Sequence, residues 1–118
     1  MNNEEIVSHL KSLNWTVNVI QGNDGKKYVT IGDYEIELGG LAGKKCDVAF
    51  EQVQSVPYTF PSAIHTKPHM LPMDVSKYNT QNSGIGQEWQ YWSRSFSKQL
   101  NPQNIIAHIA SIFRDVKI

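Results

Sequence analysis

Apolar and polar positions recur along this chain with two periods, and the changes of period mark its elements. Ile6, Leu10 and Leu13 repeat at helical spacing with Val7 beside them, which predicts a helix over residues 3–13 with one buried stripe. Asn2 or Asn3 can cap it, Glu4 and Glu5 suit its positive end, and Asn14 is a left-handed stop. At Trp15 the period becomes two: Trp15, Val17 and Val19 alternate with Thr16, Asn18 and Ile20, as in a strand. Gly22-Asn23-Asp24-Gly25 reads as a hairpin turn, with Lys26 to Ile31 returning. Asp33 to Leu38 alternates again, placing Tyr34, Ile36 and Leu38 on one face, before Gly39-Gly40-Leu41-Ala42-Gly43 interrupts the pattern. A further strand is expected from Lys45 to Val53, with Cys46, Val48 and Phe50 on one face, and another from Ala63 to Lys67 after the Pro57–Pro61 turn.

The last element is the clearest. Asn101 caps, Pro102 takes the first helical position, and Ile105, Ile106, Ile109, Ile112, Phe113 and Val116 form a stripe wide enough to require a sheet or another helix beneath it. The order is helix, antiparallel strands, an irregular segment, then helix. The expected class is α+β, a four-stranded meander with helices packed on it. Between Pro57 and Ser93 lies the longest stretch without a period. It holds four of the five prolines, two of the four histidines and two of the three tryptophans, so the function is expected there.

Composition narrows the classes. The 118 residues suit one domain, residues 1–118, and eleven basic against eleven acidic side chains leave no surplus for nucleic-acid phosphates. No apolar run reaches the roughly 18 residues a bilayer span needs. Met-Asn-Asn-Glu-Glu is too polar and acidic for a secretory or transit peptide, so a cytoplasmic protein is expected. One cysteine excludes an internal disulfide and a multi-thiolate zinc site.

Cys46 would need exposure and a lowered pKa to act as a nucleophile, and the adjacent Lys44 and Lys45 help only slightly. Its alternation with Val48 and Phe50 points it into the core instead. His65 and His69 lie four apart, but Pro68 intervenes and no carboxylate lies between them, so no metal site is expected. One or both are expected to donate to loop carbonyls and hold the irregular segment, while His9 and His108 fall on the helices. Trp89, Tyr91 and Trp92, with Arg94, have the composition of an interface hot spot. The competing reading is that the tryptophans pin the long segment; Trp92 is expected to anchor, and Trp89 and Tyr91 fit either role. Gly84-Ile85-Gly86 is too short for a phosphate-cradling loop.

The ordered set Tyr58-Thr59-Phe60-Pro61, Ile64-His65-Thr66-Lys67-Pro68-His69, Trp92-Ser93 and the helix from Asn101 resembles the ubiquitin-conjugating enzyme (UBC) superfamily. With Glu88-Trp89-Gln90-Tyr91-Trp92-Ser93-Arg94 it is similar to small bacterial UBC-like proteins linked with ubiquitin-like conjugation. The resemblance implies a UBC-like fold in which the catalytic cysteine would fall within residues 81–86. Here that window reads Gln-Asn-Ser-Gly-Ile-Gly, with Ser83 its one hydroxyl and no thiol, and Met70 and Leu71 follow His69 where the family carries Pro-Asn.

The resemblance therefore implies a non-catalytic binding module without cofactor, comparable to conjugating-enzyme variants. Its expected partners are a ubiquitin-like protein or its activating enzyme, and its expected binding residues are Tyr58, Phe60, His65, His69, Trp89, Tyr91 and Trp92. Two enzymatic readings compete with it: a divergent conjugating enzyme carrying a thioester on Cys46, and, ranked below that, a hydrolase centred on His65 and His69.

Overall fold

The computed structural model describes residues 3–52, 63–73, 78–94 and 102–116. Helix α1 (Asn3–Ser12) buries Ile6 and Leu10 and ends at Asn14, whose φ of 70° makes it the left-handed stop expected of it. Leu13 falls beyond the helix and stays exposed, so the buried stripe is one residue shorter than its period suggested.

Strands β1 (Thr16–Gln21), β2 (Lys27–Glu35), β3 (Lys45–Glu51), β4 (Ala63–Lys67), β5 (Thr80–Asn82) and β6 (Gln90–Ser93) form one antiparallel sheet in the order β1-β2-β3-β4-β6-β5. The architecture is α+β, with six strands where four were expected. First, the five strand spans read from the sequence reduce to four, and two more strands then join them. Lys26–Ile31 and Asp33–Leu38 are not separate strands: β2 passes through a bulge at Gly32-Asp33, where Asp33 has φ 56° and its N–H donates to Asp47 Oδ1 at 3.1 Å. The chain leaves the sheet after Glu35, so Ile36 is still buried but Leu38 points out to solvent. Second, β5 and β6 lie within the segment that showed no period.

A short 3-10 turn (Pro102–Asn104) leads into α2 (Ile105–Arg114). Ile105, Ile109, Ile112 and Phe113 are buried in it, and Val116 just beyond it. They join Ile6, Leu10, Val29, Ile31, Val48, Phe50, Ile64 and Trp92 in the main core. The link between β2 and β3 is tied to the end of α2 by the Gly40 N–H, which donates to Val116 O at 2.8 Å. Gly39 (φ 90°) lies so close to the Phe113 carbonyl that a Cβ would collide with it. No helix among the described residues is long and apolar enough to cross a membrane.

Alternation gives the sheet a second face. Ala49 pairs with His65 and His65 with Tyr91, so these three share a face, and Tyr28 joins them two residues along β2 from Thr30, the partner of Ala49. The loop between β5 and β6 folds back over this face, where Ile85 and Trp89 form a smaller core with Tyr28 and Ala49, flanked by Ile20.

Candidate functional site

The fold-back of this loop creates the site. Ser83, the first residue after β5, places its Oγ 2.7 Å from His65 Nδ1, and the same oxygen accepts the Ile85 N–H at 3.0 Å. His65 is 5% exposed, and its ring meets Tyr28 and Tyr91 edge to face at centroid distances of 5.0 and 5.3 Å. Burial disfavours its charged form and lowers its pKa to about 4; the Asp24 carboxylate opposes that shift only in part. At neutral pH His65 is an uncharged imidazole.

The β1–β2 turn closes one side. The Asn23 N–H donates to Ile85 O and the Asp24 N–H to Gly84 O, both at 3.0 Å, joining two turns distant in sequence. Gly84 is required by this approach, because a Cβ there would run into the Asp24 carboxylate. Tyr28 Oη donates to Asp24 Oδ2 at 2.6 Å, and the Lys26 N–H donates to Oδ1 at 3.0 Å. Desolvation alone would raise the Asp24 carboxyl; the hydrogen bonds from Tyr28 and Lys26, with the Lys26 ammonium, outweigh it and hold the group below its ordinary value. The Tyr28 hydroxyl is pushed up by burial and by the carboxylate it serves.

Between turn and sheet lies an open cleft of about 460 Å³. It is lined by Asp24, Lys26, Tyr28, Glu51, Ala63, His65, Gln81, Asn82, Gly84 and Tyr91.

The remaining residues singled out in the sequence divide between scaffold and surface. His69 is exposed, and its Nε2 donates to Gln87 O at 3.0 Å, the loop-carbonyl contact expected of it. His65 does not make such a contact; its partner is a hydroxyl. The two histidines thus serve different neighbours, and among the described residues no three His, Cys, Asp or Glu side chains converge to hold a metal ion. Trp92 is fully buried on the helix side, donating from Nε1 to Thr66 Oγ1 at 3.0 Å and meeting Phe113 edge to face. Trp89 is 8% exposed and anchors the loop from the opposite face. Tyr91 is half-buried and lines the cleft. Arg94 is engaged in the fold, stacked over Trp92 and donating to Tyr78 O. Tyr58 and Phe60, with the Pro57–Pro61 turn, lie outside the described residues.

Cys46 is buried, as its alternation with Val48 and Phe50 suggested. Burial, with a smaller contribution from the Asp47 carboxylate, pushes its thiol up to about 12. Sequence reasoning did not find Asp24, Tyr28, Glu51 or the Ser83–His65 contact. The nearest signal was Gly84 itself, a small residue in a loop that needed no phosphate to explain it.

No family model, curated protein or solved structure matches the chain.

Proposed function

We propose that the protein is a non-catalytic recognition module of UBC-like kind, taking a ubiquitin-like protein or its activating enzyme against the face that carries His65. The observation that supports this over a transfer enzyme is the state of the hydroxyl and the thiol. Ser83 Oγ is already held by the Ile85 N–H and His65, and burial leaves that imidazole a weak base, poorly suited to activate a nucleophile near neutral pH. Cys46 is buried with a pKa near 12, which counts against thioester formation on it. What the site offers instead is an open, mostly polar cleft, with Tyr28 and Tyr91 in its wall, beside the short edge strand β5.

The test is to incubate the protein with an activating enzyme, ATP and a ubiquitin-like protein. Binding by calorimetry with no reducible adduct on a non-reducing gel is the expected result. An adduct lost in Cys46→Ala would sink the proposal, as would the absence of any binding to ubiquitin-like or activating proteins.

A further inference from the structure

We propose that the outer edge of β1 pairs with β1 of a second copy of this chain, so that two sheets run on as one across a two-fold axis at Val19. The inference is independent of the recognition reading above.

β1 stands at one end of the sheet, and its register against β2 runs unbroken from Thr16 to Gln21. The hairpin sets which of its backbone groups face β2. The Gly22 N–H donates to Lys26 O at 2.8 Å, and hydrogen-bonded pairs recur at every second residue of an antiparallel ladder. Ile20, Asn18 and Thr16 therefore turn their N–H and C=O groups toward β2. The Gln52 N–H, which donates to Lys27 O at 3.0 Å on the far side of β2, gives the same parity. Val17, Val19 and Gln21 turn theirs outward, and among the described residues no strand lies beyond β1 to receive them.

Sheet edges in folded proteins carry devices that discourage pairing: a charge, a proline, a bulge or a very short strand. The opposite edge, β5, is three residues long. β1 has none of these devices. Thr-Val-Asn-Val-Ile-Gln is uncharged, holds no proline and has no break in register. Val19 is 48% exposed on the side of the sheet that carries buried Val17, a β-branched surface suited to a cross-strand partner.

The occupant argued for is a second copy because the edge is complementary to itself. A symmetric pairing sets the central residues against their own kind, so a charged edge would repel its copy, and this one does not. Eleven basic and eleven acidic side chains leave no net charge to hold two chains apart. The outward-facing residues are centred on Val19. A two-fold axis there, perpendicular to the sheet, sets Val19 against Val19 of the second copy and Val17 against Gln21, all as hydrogen-bonded pairs. Every outward group of β1 is then used, and the helix-covered faces stay on the same side. Because the contact is isologous, it consumes the edge on both copies and closes as a dimer. A strand-to-strand contact is small beside a standard interface, so the dimer is weak and concentration-dependent.

The test is sedimentation equilibrium of the whole chain, with amide hydrogen exchange at low and high protein concentration. A monomer–dimer equilibrium with Kd on the order of 100 μM is expected. Exchange at Val17, Val19 and Gln21 should slow as concentration rises, while Asn18 and Ile20, already bonded to β2, should not change. Val19→Lys sets two ammonium groups across the axis and should weaken the dimer at least about tenfold. Val19→Thr, uncharged and β-branched, should stay within about threefold. The site is exposed, so neither change threatens folding. A monomer at about 1 mM, a dimer indifferent to Val19→Lys, or slowed exchange confined to other residues would overturn the proposal. Protection of these amides that appears only on adding a ubiquitin-like or activating protein would also overturn it, and would give the edge to that partner.

Discussion

His65 Nδ1 and Ser83 Oγ lie 2.7 Å apart, and that contact joins the middle of the sheet to the loop that covers it. Ser83→Ala removes the partner of the imidazole and the acceptor of the Ile85 N–H together. A loss of about 1–3 kcal/mol is expected in urea unfolding, with faster hydrogen exchange at Ile85 than at β2 amides. Unchanged exchange at Ile85 would mean that the Asn23 and Asp24 backbone bonds, with Ile85 and Trp89 packing, hold the loop without Ser83.

The same histidine makes stability depend on pH. Its native pKa is about 4 against 6.5 for the unperturbed group, so the unfolded chain takes up a proton that the native state refuses. Stability is therefore full above about pH 6.5, falls as pH drops toward 4, and loses at most about 3 kcal/mol from this residue. Burial depresses His108 as well, adding to the loss in the same direction. Unfolding free energies measured from pH 7.5 to 4.5 should show this slope, and His65→Gln should flatten it. A slope unaltered by His65→Gln would assign the effect to other groups.

Cys46 should behave as a core residue. In native buffer an aromatic disulfide reagent is expected to react with it no faster than the chain unfolds, and at once in denaturant. Cys46→Ala should keep the fold at a cost of about 1 kcal/mol, since it removes one small buried atom. Rapid labelling of the native protein would contradict the burial.

Gln90 is the most heavily used buried side chain in the described structure. Its Oε1 accepts the Met70 and Leu71 N–H groups, and its Nε2 donates to Leu71 O at 2.6 Å and to Met73 Sδ at 3.1 Å. Gln90→Leu keeps most of the volume but strands three backbone groups, so a loss of about 3 kcal/mol or more is expected in thermal or urea unfolding. A loss below about 1 kcal/mol would show that water replaces the amide.

These buried amides and hydroxyls also explain which parts of the fold were legible in the sequence. Asn14, the Gly22–Gly25 turn, the inward face of β3 and the α2 stripe are fixed by local period and by backbone preference, and each was readable. β5 begins with a buried threonine and the two inward positions of β6 are Gln90 and Trp92, so each short strand has at most one apolar inward residue and no apolar alternation to read. The Gly32-Asp33 bulge broke one strand's pattern into two. Trp89 was ambiguous because either role needs an aromatic, and only its burial decides. The site was the least visible part, because Asp24, His65 and Ser83 are brought together by a loop reversal that no local signal encodes.

The two backbone bonds from Asn23 and Asp24 to the loop at Gly84 and Ile85 have a kinetic consequence. They span about sixty residues of chain, a closure whose entropy is recovered only once the strands between are paired. The clasp should therefore form late in folding: in pulse-labelling during refolding, the Asn23 and Asp24 amides should gain protection after those of β2 and β3. The cleft would then be assembled last, on a sheet that is already complete.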